Sequence, residues 1–210
     1  MDWITGDVFG VPVEKKEIRR AGGKPYIANT ANGTGVLHTT EGGSVAGAWN
    51  TLSKSGSAPH VICGEGRIVQ CRPLNVQGAA LRGGPNNANK GPIQIEMVGF
   101  SKEVLWLPEK GTLTPAVAFM AYCAAELGIP LSVPYDWADD LSDCSKPWAS
   151  HNSRRRKMEG DWPNIPKGWY MHLEQGWQGP SWHWDAGAIQ RSVMIQQAAA
   201  LIAARQAAGG

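Results

Sequence analysis

The chain of 210 residues is short of several things. No apolar run approaches the roughly 18 residues that cross a bilayer, so no membrane span is expected. Charge of one sign is missing too. Lys+Arg 20 against Asp+Glu 18 leaves a formal net charge of +2. That balance, without interleaved basic and aromatic residues, argues against a nucleic-acid binder. The N-terminus, Met1-Asp2-Trp3-Ile4-Thr5-Gly6-Asp7, carries no basic segment followed by an apolar run. No signal peptide is read there, and synthesis in the cytoplasm is the expectation. Cysteine is sparse. Cys63, Cys71, Cys123 and Cys144 form no C-x-x-C pair, which argues against a cysteine zinc knuckle. Buried, reduced thiols are expected instead. Phe and Tyr are scarce as well, at 3 and 4.

Tryptophan is abundant, at 10, with Gly 26 and Pro 14 marking many turns. Hydrophobic residues at 42% and charged residues at 18% describe a globular chain, neither disordered nor coiled-coil. The length suits one domain, or at most two small ones, with a core that needs no disulfides.

Residues 1–30 look polar and irregular. Gly35-Val36-Leu37-His38-Thr39-Thr40 reads as a short buried strand. Ser44 then suits an N-cap, and Val45, Ala48, Trp49 and Leu52 follow on one helical face. Residues 59–71 read as a hairpin turning at Glu65-Gly66. A two-residue turn sets Cys63 opposite Ile68 and Cys71 opposite His60, with the two thiols on opposite faces. Residues 78–91 read as a loop and residues 92–98 as a strand. Thr114 is expected to cap a second helix with Pro115 at its first position. Leu113, Val117, Met120, Ala121 and Ala124 mark its buried stripe. Residues 131–170 read as loop, and 188–207 as a third helix. The mixture predicts an α/β fold, a mixed central β-sheet flanked by helices.

The chemistry-bearing residues are the histidines and their neighbours. His38 ends a buried strand before a Gly-rich turn, where sheet proteins place ligands. His172 and Asp185 lie 13 residues apart, and His183 and Asp185 at i, i+2 share a face of an extended segment. Two imidazoles and a carboxylate suit Zn²⁺ with an open position for water. The spacing equally admits satisfied polar residues and a surface hydrogen bond. His60 and His151 read as satisfied polar residues.

Taken together, these segments resemble the type-2 N-acetylmuramoyl-L-alanine amidases, which share their fold with peptidoglycan recognition proteins. The resemblance rests on Val36-Leu37-His38-Thr39-Thr40, the hairpin Pro59-His60-Val61-Ile62 to Ile68-Val69-Gln70, the strand Ile93-Gln94-Ile95-Glu96, and the closing motif of His172 with His183-Trp184-Asp185-Ala186-Gly187. It spans residues 30 to 205 in consistent order. It implies a zinc amidase domain over 31–207, with 1–30 as an extension packed on it. It implies His38, His172 and Asp185 as zinc ligands, Glu96 as general base and His183 as stabiliser of the oxyanion. His151 is the fallback second ligand, because Met171 stands before His172 where the family often has Gly. The closing motif also departs, with Asp-Ala-Gly in place of Asp-Pro-Gly.

Trp182 and Trp184 flank the implied site and are read as stacking on sugar or peptide, or as simple packing. Arg82 is a candidate contact to the acidic peptide stem, or a solvated loop cation. The run Arg154-Arg155-Arg156-Lys157 reads as a solvated face or as attraction to an anionic wall. The implied partner is peptidoglycan, and further modules in a longer parent chain are admitted. The expected setting is a bacteriophage endolysin, made in the host cytoplasm and acting on the cell wall. The competing expectation is a non-catalytic peptidoglycan-binding module on the same fold.

Overall fold

A computed structural model describes residues 3–29, 33–56, 58–80, 91–99, 113–132, 168–171, 173–175, 182–184 and 191–209. Its centre is a seven-stranded mixed sheet. The strands are β1 (Asp7–Val8), β2 (Val11–Lys15), β3 (Thr34–Thr39), β4 (Val61–Gly64), β5 (Arg67–Gln70), β6 (Ile93–Met97) and β7 (Gly168–Met171), in spatial order β1-β2-β5-β4-β6-β3-β7. A separate antiparallel pair joins β8 (Leu173–Gln175) to β9 (Trp182–Trp184). The helices are α1 (Val45–Ser55), α2 (Leu113–Leu127) and α3 (Arg191–Gly209). The expected mixed α/β sheet with flanking helices is what forms.

The central pairings β4–β6, β6–β3 and β3–β7 are parallel. Every residue of β3 and β6 is buried, as befits central parallel strands. On one face, Leu37, Val61, Cys63, Ile68, Ile93, Ile95 and Met97 pack with α2 and with Met194 and Ala198 of α3. On the other, Ile62, Val69, Cys71 and Val98 pack with Val45 and Ala48 of α1. Burying so many apolar side chains, at about 25 cal/mol per Å², is the main force holding the layers together.

The hairpin forms in the expected register, with Cys63 opposite Ile68. Both turn residues take positive φ, 53° at Glu65 and 72° at Gly66, the backbone that matches the twist of a two-residue hairpin. Cys63 and Cys71 fall in different core layers, so they lie on opposite faces. Cys63, Cys71 and Cys123 are free and buried. Burial pushes the Cys71 thiol up to about 12 and raises Cys63 and Cys123 as well, so all three stay inert at neutral pH. Cys144 lies outside the described residues.

Helix α1 starts as its sequence predicts. Ser44 Oγ accepts from Gly47 N at 3.1 Å. A second cap comes from the hairpin turn, where Glu65 Oε1 accepts from Val45 N at 2.9 Å. A carboxylate at a helix N-terminus also complements the helix dipole.

Three expectations need correcting. Residues 168–170, expected within the loop, form β7 with Met171 through parallel pairing with β3. Residues 1–30 are not irregular throughout. Asp7–Val8 and Val11–Lys15 are strands, and β2 lies parallel to β5, pairing Val13 with Ile68 and Lys15 with Gln70. Ile4 N donates to Gln70 Oε1 at 2.8 Å, and Val8, Val11 and Ile18 are buried. In α2, Thr114 lies inside the helix, which already includes Leu113. Leu113 packs against the core, which carries the helix one residue past the expected cap. The buried surface is also broader than a stripe, taking in every residue from Pro115 to Ala121, because α2 has the sheet on one side and α3 on another.

Among the described residues no helix is long and apolar enough to cross a membrane.

Candidate functional site

His38 and Glu96 come from different strands and meet by register. Parallel pairing of β3 with β6 sets His38 opposite Glu96 and Val36 opposite Gln94. Pairing of β6 with β4 sets Ile62 opposite the same Glu96. Neighbouring strands run roughly 5 Å apart. Alternation settles the face. Leu37, Ile95 and Met97 belong to the α2 side, so His38 and Glu96 project to the side that holds α1. Both are buried, at 1% and 7% exposure. Glu96 is therefore not an outward-facing strand residue.

The strand ends beside this pair are clamped. Thr40 N donates to Met97 O at 3.0 Å, and Gly42 N to Gly99 O at 3.1 Å. Thr39 Oγ1 donates to Glu41 Oε1 at 2.8 Å. These bonds fix where β3 and β6 leave the sheet, and with them the positions of the imidazole and the carboxylate.

His60 has the bland role expected of it. Its Nδ1 accepts from Gln94 N at 3.0 Å, and its Nε2 lies 2.9 Å from Val76 O. Because Nδ1 accepts, Nε2 carries the proton and donates to the carbonyl. Full burial lowers its pKa to about 4, Arg72 adding to the shift while the Val76 bond opposes it. The ring stays neutral and ties the start of β4 to β6 and to the segment after β5.

Sequence reasoning passed over the polar residues around His60. Gln94 Oε1 accepts from Ala80 N at 2.9 Å. Arg72 is buried, its guanidinium donating to Gln77 O and Gly56 O at 2.9 Å each and lying 5.6 Å from the Tyr26 ring centre. Gly56 caps the C-terminus of α1, where a cation is favoured. The available signal was Gln94 itself, a polar residue between two isoleucines on a strand buried on both faces.

Trp49, read as a core residue, is half-buried against the α1-side core. Its Nε1 donates to Lys16 O at 2.9 Å.

The remaining candidates are placed less fully. His172, Asp185, Arg82 and His151 lie outside the described residues. His183, Trp182 and Trp184 are placed by backbone alone, in β9, where His183 pairs with Glu174 and Trp184 with Leu173. In sequence, His172 directly follows Met171, the β7 residue paired with Leu37. It also directly precedes Leu173, and Asp185 directly follows its partner Trp184.

Among the described residues no group of three His, Cys, Asp or Glu side chains is placed to hold a metal. His38 supplies a donor of the right chemistry for zinc, a buried imidazole nitrogen, and Glu96 brings a buried carboxylate oxygen opposite it. Both residues also take part in further interactions.

Several solved structures are similar to this chain. One described as PlyL is 16% identical, with 57% of this chain and 76% of that chain covered at a TM-score of 0.47. A hydrolase of Staphylococcus aureus, AmiA in complex with its ligand, is 14% identical, with 59% and 60% covered at 0.46. A mutant endolysin from Bacillus subtilis is 21% identical, with 58% and 80% covered at 0.43. No family model matches the chain, and no curated protein does.

Proposed function

We propose that the chain is a zinc-dependent N-acetylmuramoyl-L-alanine amidase that cuts the amide between N-acetylmuramic acid and L-alanine in peptidoglycan. One observation carries the reading. His38 and Glu96, the first zinc ligand and the general base implied by the sequence resemblance, are buried partners in one register pair on one face. Two further ligands, His172 and Asp185, flank in sequence the paired residues Leu173 and Trp184. His172 also follows the residue that pairs with the neighbour of His38.

In this mechanism His38, His172 and Asp185 would hold the metal. Zinc, when bound, supplies Lewis acidity toward the scissile carbonyl and acidifies the attacking water. Glu96 takes the water's proton and passes it to the departing amine. His183 donates to the oxygen that gains charge as the carbonyl carbon becomes tetrahedral. Trp182, Trp184 and Arg82 contact the sugar and the peptide stem. The cellular setting proposed is that of an endolysin acting on the bacterial wall.

Digestion of purified cell walls, with and without a chelator, tests the reading. An amidase releases new L-alanine amino termini, and the chelator suppresses them. New reducing sugar ends would contradict it. A non-catalytic binding module would pellet with walls and release nothing.

A further inference from the structure

The face of the sheet away from His38 and Glu96 carries a concave site. It lies where the β1–β2 hairpin meets α2 and α3, and its volume is about 570 Å³, within the range of ligand pockets. Trp3, Phe9 and Tyr122 line it together with Asp7, Glu126 and Arg205. An adjoining hollow of about 460 Å³ shares Phe9, Glu126 and Arg205.

Two features set this hollow apart from an incidental dent. The first is the hairpin turn. Phe9 has φ 49° and Gly10 has φ 78°, a two-residue turn in which the first position normally goes to Asn, Asp or Gly. A phenylalanine there is held in a strained conformation. Its ring packs partly on the core, with the Arg205 guanidinium 5.3 Å from its centre. The second is charge. Glu126 and Arg205 are exposed and line the same hollow, yet among the described residues no ion pair joins them. A carboxylate and a guanidinium thus line one hollow with three aromatic rings, of which Trp3 carries Lys15 Nζ 4.2 Å from its ring centre.

We propose that this hollow is a second saccharide-binding site that takes a short N-acetylated glycan segment. Sugars offer apolar C–H faces to aromatic rings, hydroxyl groups to carboxylates, and acetamide carbonyls to a guanidinium. Trp3, Phe9 and Tyr122 supply the first kind of partner, Asp7 and Glu126 the second, and Arg205 the third. On a polymeric substrate, a second contact on the same molecule raises the effective concentration of the chain at the wall without any change at His38. The choice of an N-acetylated glycan rests on the peptidoglycan reading, whereas the site's geometry does not.

Calorimetric titration of the full chain with the N-acetylglucosamine tetramer tests it. The unchanged protein binds saturably. Glu126→Ala combined with Arg205→Ala weakens binding at least tenfold while the melting temperature holds, because both side chains are exposed. Trp3→Ala weakens it similarly. Trp182→Ala combined with Trp184→Ala, which removes the sugar contacts proposed for the catalytic cleft, keeps the tetramer binding that the Glu126/Arg205 variant loses, and this separates the two sites. Absence of saturable binding, equal binding by the Glu126/Arg205 variant, or loss of binding in the Trp182/Trp184 variant overturns the proposal. Wall hydrolysis is assayed separately, so failure of the amidase reading leaves the titration result standing.

Discussion

Glu96 stands directly opposite His38 in the parallel pairing of β6 with β3, and both side chains are buried on the α1 side of the sheet. With Glu96 proposed as the base and His38 as a zinc ligand, the two substitutions are expected to give separable losses. Glu96→Gln keeps the shape and removes the base, so wall hydrolysis falls by about 10²-fold or more while bound zinc is retained. His38→Ala loses zinc as well as turnover. Metal analysis of the two purified variants beside their activities checks this. Equal zinc loss in both variants, or full activity in either, contradicts the assignment.

Gly35 is the second residue of β3 and pairs with Trp169 of β7. The Trp169 ring lies against it, so a Cβ at Gly35 would sit 2.8 Å from Cδ2 and closer still to Cε3 and Cζ3. Trp169 is fully buried, so the ring has little room to give. Gly35→Ala therefore costs about 1–3 kcal/mol by overpacking. Thermal melting reads the loss. Combining it with Trp169→Leu recovers part of it, since the two sites couple directly. An unchanged melting temperature in Gly35→Ala would show that the ring moves freely.

His60 makes stability depend on pH. The unfolded ring takes up a proton below about pH 6.5, while the folded ring stays neutral down to about 4. The unfolded state thus binds more protons between those values, and stability falls as pH drops through them. The full window is worth on the order of 3 kcal/mol. Denaturant titrations at pH 7, 5.5 and 4.5 measure it. His60→Gln is less stable at pH 7 but loses less on acidification. Parallel losses in both proteins would assign the acid sensitivity elsewhere.

The β1–β2 hairpin covers the edge of β5. Removing residues 1–16 leaves one edge of β5 unpaired and exposes the core side chains that Val8 and Val11 cover. A bare edge strand invites pairing with another chain. Light scattering and melting of the truncated protein are expected to show aggregation and a lower melting temperature. A monomer with the full-length melting temperature would mean that the hairpin is an appendage.

Local rules made the interior of the fold legible. Ser44 ahead of a helical apolar face, and Glu65-Gly66 between apolar runs, are signals that act within a few residues. The β1–β2 hairpin escaped because β2 pairs with β5, a partner far along the chain. Pro12 and the charged Glu14 and Lys15 also blur its alternation. They are tolerated at this end of the sheet, where Glu14 and Lys15 are exposed. At the site, His38 was legible from its place at a strand end, and Glu96 from the resemblance. Their direct opposition depends on parallel register, which no local pattern encodes. The roles of Arg72 and Gln94 were illegible for the same reason, since their partners are backbone groups brought in by the fold.

The central claim is zinc-dependent cleavage of the muramoyl–alanine amide. Mass analysis of fragments from purified walls, digested by the zinc-loaded chain and by the same chain after chelation, tests it most directly. The account predicts free L-alanine amino termini with intact glycan strands, abolished by the chelator and restored by added zinc. Cleavage within the glycan or the peptide stem, or release that persists without metal, would contradict it.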